Sequence, residues 1–149
     1  MKTNIYKLSL VKEKTVDYNY RLFRASNPQS IQFMMNEIFD AENLPEEYVW
    51  CIAVDAKCKI NGLFEISHGS INYSSASPKD IIKRVLLCGA VGFIIVHNHP
   101  SGSIEPSNDD NQITKNLKMC ADMMELNMLD HIIIGENCYY SYQEEGKLK

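Results

Sequence analysis

The chain holds no C-x-x-C pair, and its five cysteines, Cys51, Cys58, Cys88, Cys120 and Cys138, are odd in number and scattered. That usage argues against a disulfide framework and against a zinc–cysteine cluster, and it fits reduced thiols in a cytoplasmic protein. An excess of basic charge is lacking as well. With 15 Lys and Arg against 19 Asp and Glu, the formal charge is −4. No basic stripe offers a large nucleic-acid footprint, so direct nucleic-acid binding is not expected. The longest apolar stretch, Val85 to Val96, is too short and too broken by glycine to span a bilayer. The lysines near the N-terminus are not followed by an apolar segment, so neither a signal peptide nor a membrane helix is expected.

What is present suits one soluble domain. The 149 residues, 45% hydrophobic and 23% charged, are enough for a single substantial core. Alternating Tyr6, Leu8 and Leu10 suggest an edge strand from Ile5 to Val11. Asn27-Pro28 opens a helix with Pro at its first position, and Ile31, Met34, Met35 and Ile38 form its apolar face. Tyr48 to Asp55 and Lys59 to His68 read as two strands joined at Ala56-Lys57-Cys58, with Trp50, Ile52 and Val54 alternating inward. After a loop from Ser74 to Ser77, Ser77-Pro78-Lys79-Asp80 starts a second helix, buried through Ile81, Ile82, Val85 and Leu86 and ended near Gly89.

A buried strand from Val91 to Val96 follows, then a loop, then a helix from Ser107 with Ile113, Leu117, Cys120 and Met124 at helical spacing. Leu129 to Ile134 is the next buried strand, and Cys138 to Tyr142 a short last one. A hairpin followed by alternating helix and strand implies an α/β (α+β) fold with a mixed sheet flanked by helices. No internal repeat or linker divides residues 1–149, which read as one domain.

The chemistry concentrates in HNHPSGSIEPSNDD, from His97 to Asp110. Where a buried strand runs out, His97 and His99 point to one side and Asn98 to the other, because side chains alternate along an extended segment. Pro100 keeps His99 extended, and Ser101-Gly102 turns the chain. Ser107 then caps a helix whose first turn carries Asp109 and Asp110. Two imidazoles and one carboxylate form an open catalytic zinc set, with a fourth position left for water.

Other histidine signatures do not fit. There is no H-E-x-x-H helix, and no glutamate after the first histidine with a later Pro-Cys-x-x-Cys, as a zinc deaminase needs. Hydrolysis also requires a proton acceptor. In the strand from Lys59 to His68 the only acid is Glu65, among Leu63, Phe64 and Ile66. His68, three residues on, falls on the opposite strand face. Asp109 and Asp110 flank the helix's apolar stripe equally, so periodicity leaves the metal-binding acid open between them.

Glu65, then HNHP, then Ser107-x-x-Asp110 together resemble the JAB/JAMM (MPN+) metal-dependent isopeptidase motif. SPKDIIKRVLLCGAVGFIIVHNHPSG and LDHIIIG are similar more narrowly to its bacterial RadC-like branch. The resemblance runs from Trp50 to Gly135 within a motif-bearing core of about residues 48–142. It implies a JAB/MPN-like, cytidine-deaminase-like architecture and a zinc-dependent hydrolase of peptide or isopeptide bonds working by a metal-hydroxide mechanism. Zn2+ would be held by His97, His99 and Asp110, with Glu65 as general acid/base and Ser107 helping to hold the oxyanion. The implied partner is a peptide or protein substrate.

Two departures from the family pattern are visible. The helix-hairpin-helix module of longer RadC-like proteins is not expected here, and the family's glutamate spacing to the glycine at Gly69 falls on Phe64 rather than Glu65. His131 in LDHIIIG reads as a hydrogen-bonded structural histidine. Two other functions compete: a non-catalytic, zinc-stabilised interaction module, and a DNA-repair accessory acting beside DNA-binding partners.

Overall fold

The computed structural model describes residues 1–17, 25–69 and 76–148. The chain folds into a five-stranded mixed sheet carrying helices on both faces, the α+β architecture of a JAB/MPN-like domain. Helix α1 spans Pro28–Phe39, and a 3₁₀ turn follows at Ala41–Asn43. The remaining elements are β1 (Glu47–Val54), β2 (Ile60–Gly69), α2 (Pro78–Leu87), β3 (Gly92–Asn98), α3 (Asn108–Met123), β4 (Asn127–Gly135) and β5 (Cys138–Ser141). Strand order is β2-β1-β3-β4-β5. Only β3 and β4 run parallel, joined by the α3 crossover that such a pair requires.

Local chemistry accounts for the helix starts. Asn27 caps α1 through its side-chain oxygen, which accepts from the Ser30 N–H at 3.1 Å, and Pro28 needs no N–H at the first position. Ser77 precedes Pro78 at α2 in the same arrangement, here without a side-chain bond. At α3, Ser107 and Asp110 form a reciprocal capping box.

The interior lies on both sides of the central strands. Val49, Cys51, Ala53, Phe93 and Ile95 face α2 and α3, whereas Trp50, Ile52, Val54, Ile94, Val96, Ile132 and Ile134 face α1. Val49 to Val54 are therefore buried without alternation, against the inward-outward pattern expected for this hairpin, because β1 has strands on both edges and helices over both faces. Every residue of β3 is buried too, and each large apolar side chain there contributes about 1.5–3 kcal/mol relative to exposure.

Two expectations need correction. Ile5 to Val11 forms no strand; Ile5, Tyr6, Leu8 and Val11 are exposed and pair with no sheet edge. Leu86 and Met124 are exposed rather than part of the core, Leu86 in the last turn of α2 and Met124 at the C-cap of α3. The expected loop from Ser74 to Ser77 falls partly outside the described residues. No helix among the described residues is long and apolar enough to cross a membrane.

Candidate metal centre

Strand pairing decides what meets His97. Strand β3 runs antiparallel to β1, with His97 opposite Val49, so the C-terminal end of β3 lies beside the N-terminal end of β1. Glu47, two residues before Val49, shares Val49's face and extends toward His99. A turn closed by the Gly102 N–H donating to the His99 carbonyl at 2.9 Å then sends the loop over the end of the sheet. Gly135 permits this path: a Cβ there would collide with the Gly102 carbonyl oxygen, which instead accepts the Glu136 N–H at 3.2 Å. The loop ends at Ser107, and α3 brings Asp110 down onto the histidines.

Glu47, His97, His99 and Asp110 thereby converge, each offering one ligand atom within 4.8 Å of the others. The Nε2 atoms of His97 and His99 face each other at 3.0 Å. Asp110 Oδ1 lies 3.3 Å from His97 Nε2, and Asp110 Oδ2 3.5 Å from His99 Nε2. Glu47 Oε1 is 3.6 Å from His99 Nε2 and 4.0 Å from His97 Nε2. His99 Nδ1 donates to the Ser103 carbonyl at 2.9 Å, which turns its Nε2 inward.

Asp110 serves the helix and the cluster at once. Its Oδ2 accepts from the Ser107 N–H at 2.8 Å and from the Ser107 hydroxyl at 2.6 Å, leaving Oδ1 toward His97. The N-terminus of α3 favours the negative charge. Burial alone would raise the Asp110 carboxyl, but hydrogen bonds from His99 and Ser107 hold it far below the usual carboxylate range. The hydrogen bond to Asp110 raises His99 above its ordinary value against the effect of burial. Burial, with His131 alongside, pushes His97 well below it despite Asp110.

On the far face of β3, Asn98 accepts the Tyr48 N–H at 2.8 Å and donates to the Glu46 carbonyl at 3.0 Å. It grips the backbone on both sides of Glu47. The group opens to solvent through a cleft of about 400 Å³ lined by Glu47, His99, Pro100, Glu105, Ser107 and Asp109.

The residues expected for the site thus fare differently. His97, His99 and Asp110 come together, Asp109 lines the cleft mouth, and Ser107 lies beside Asp110 with its hydroxyl proton directed to that carboxylate. Glu65 is not brought to the cluster. In β2 it pairs with Trp50 of β1 and so faces the α1 side, opposite to His97's face, in an exposed contact with His68 Nδ1 at 2.9 Å. The expected split of Glu65 and His68 onto opposite faces fails because the β1–β2 register shifts between Val49 and Trp50. That bulge leaves Ile66 as an extra residue, which restores the two to one face. Glu47 stands where the acid was sought. His131 is buried and hydrogen-bonded, and burial brings it down to about 4.

Comparison with known proteins identifies the family. A profile of the RadC-like JAB domain matches residues 25–147. A UPF0758 protein of Actinobacillus succinogenes is 34% identical over 146 residues, 98% of this chain and 63% of that protein. One from Pasteurella multocida is 35% identical over 122 residues, 82% of this chain and 54% of that protein. Another, from Chlorobium phaeovibrioides, is 36% identical over 103 residues, 69% of this chain and 46% of the relative. The chain spans roughly half to under two thirds of the length of the relatives it matches. A match over nearly all residues from Ala25 onward, together with histidines and acids gathered at one strand-loop-helix junction, places this chain in the RadC-like JAB domain family.

Proposed function

We propose that this chain is a zinc-dependent hydrolase of peptide or isopeptide bonds. One observation carries the reading: two imidazole Nε2 atoms face each other at 3.0 Å with carboxylate oxygens alongside. Two ring nitrogens that close cannot both carry a proton, and with His99 Nδ1 giving its proton to Ser103 a neutral His99 turns its Nε2 lone pair toward His97, a donor set that suits a shared cation. Two imidazoles and a carboxylate suit zinc and leave a position open. A zinc ion bound there supplies Lewis acidity and lowers the pKa of water.

The protein's own groups divide the remaining work. His97, His99 and Asp110, the more buried members, serve as ligands. Glu47 is 24% exposed, lies farther from the nitrogens than Asp110 and lines the cleft, so it serves as general acid/base. It accepts a proton from the attacking water and returns it to the leaving nitrogen. Ser107, also at the cleft wall, is placed for the substrate carbonyl once its hydroxyl turns from Asp110.

Elemental analysis of the purified chain tests the metal, and a panel of peptides with α- and ε-linked lysine tests the chemistry. One zinc per chain and hydrolysis that disappears on chelation are expected. Absence of zinc after refolding in excess zinc would overturn the reading.

A further inference from the structure

Behind His97 runs a chain of buried polar groups that the ligand set does not use. His97 Nδ1 lies 2.8 Å from His131 Nε2, His131 Nδ1 lies 2.6 Å from Thr114 Oγ1, and the Thr114 hydroxyl reaches the Asp110 backbone carbonyl at 2.6 Å. His97, His131 and Thr114 are 1%, 2% and 3% exposed, so water does not complete these bonds.

Each contact takes one proton, and the far end fixes the direction of all three. A carbonyl oxygen only accepts, so the Thr114 hydroxyl gives its single proton to Asp110. The Tyr142 phenol, also within reach of Thr114, gives its proton to Asn111 Oδ1 at 3.0 Å, so the Thr114 oxygen accepts from His131, which puts a proton on His131 Nδ1. Both ring nitrogens of His131 are engaged by neutral partners, and its face is stacked on Tyr142, with centroids 5.0 Å apart and planes within 7°. A cationic ring would be a buried charge without a contacting counter-ion, whereas the neutral ring meets every partner. Neutral His131 with its proton on Nδ1 carries a lone pair at Nε2, which accepts from His97 Nδ1–H. The lone pair of His97 is left on Nε2, the atom that faces His99 and Asp110.

We infer that His131 and Thr114 are positioning residues that lock His97 into its Nδ1–H tautomer and so aim its lone pair into the cluster. Metal-binding histidines commonly give their second N–H to a carboxylate, a backbone carbonyl or water. Here a second imidazole takes that place, and the relay ends on the backbone of Asp110, itself a member of the cluster. One turn of α3 thus orients two ligands, Asp110 through its cap and His97 through Thr114.

The use of this tautomer rests on the metal reading, but its existence is measured without metal. Long-range ¹H–¹⁵N spectra of the metal-free full chain at about pH 8, where an ordinary imidazole is neutral, should show His97 protonated at Nδ1 and bare at Nε2. In Thr114→Val and in His131→Phe, which keeps a ring against Tyr142, the preference should collapse toward a mixture. Zinc affinity by chelator competition should fall roughly 10–100-fold with one site retained, and Thr114→Ser should restore both readouts. An Nε2–H tautomer in the unaltered protein would overturn the inference even if neither variant folded. So would unchanged tautomer and affinity in folded variants. Failure of the unaltered protein to take zinc while His97 shows the bare Nε2 would remove the metal reading and uphold the relay.

Discussion

Two carboxylate–histidine pairings sit on neighbouring strands of one sheet, and they differ in everything but composition. Glu65 and His68 meet at 2.9 Å on the edge strand β2, with side chains about half exposed. Glu47 and Asp110 meet His97 and His99 at looser distances of 3.3 to 4.0 Å, in a cluster where His97 is 1% and Asp110 3% exposed. The shorter contact is the less consequential. Water screens the edge pair and can satisfy either partner alone, so its geometry commits the chain to nothing. In the cluster, ring nitrogens and carboxylates converge around the buried His97 and Asp110, and that makes it a candidate metal site.

The sharpest way to break this comparison is to exchange an acid for its amide on each side. Glu47→Gln should lower hydrolysis of any accepted substrate by about 10²–10⁴-fold, the usual cost of losing a general acid/base, while zinc content stays at one per chain. If Glu47→Gln left the rate intact while Glu65→Gln abolished it, the roles would be reversed. Within the cluster, Asp110→Asn should cost zinc affinity more than the roughly 10–100-fold expected from losing an outer partner. Asp109→Asn, at the cleft mouth, should be nearly silent in the same chelator titration.

Much of this was legible in the sequence. The strand run ending in His97-Asn98-His99-Pro100 and the Ser107 cap bring two imidazoles and the acids of the first turn of α3 together through local rules of alternation and capping, whereas the choice of Asp110 over Asp109 rests on the family resemblance alone. Glu47 was not legible in that way, because its position depends on β1 pairing antiparallel with β3 across some fifty residues. The strand itself starts at Glu47 rather than Tyr48. A useful signal was available: an antiparallel neighbour brings its N-terminal end to the histidines, so the acid belongs at the start of β1. Glu65 misled because it is the only acid in β2, and the bulge that sets its surroundings leaves no mark in the residue pattern.

The pH dependence of the metal-free fold sharpens the contrast between buried and exposed rings. Burial lowers His131 from 6.5 to about 4. Between those values the unfolded chain binds the extra proton, so stability falls as pH drops from 6.5 toward 4. His99 is raised, chiefly by its hydrogen bond to Asp110. Its contribution is full below 6.5 and is lost as pH climbs through its folded value. Melting temperature should therefore peak near 6.5, and His131→Phe should make the acid limb shallower, with buried His97 supplying the rest. A limb as steep in that variant as in the unaltered chain would show that His131 does not cause it.

Asn98→Ala should destabilise the fold by about 1–3 kcal/mol, since it leaves the Tyr48 N–H and the Glu46 carbonyl without their partner in a part-buried place. Because those groups flank Glu47, hydrolysis should suffer more than zinc affinity. Equal losses in both would mean that Asn98 supports the cluster as a whole and not the acid in particular.

The smallest effect belongs to the edge pair. Glu65→Gln removes one partner of an exposed contact whose other partner, His68, keeps its stacking on Tyr48 at 5.3 Å. Surface ion pairs are worth about 0–1 kcal/mol, so denaturant midpoints should move little and zinc content not at all. A loss of zinc or a hundredfold loss of rate in Glu65→Gln would show that β2 reaches the cluster in solution. The contrast between the two pairings would then have to be redrawn around the bulge at Ile66.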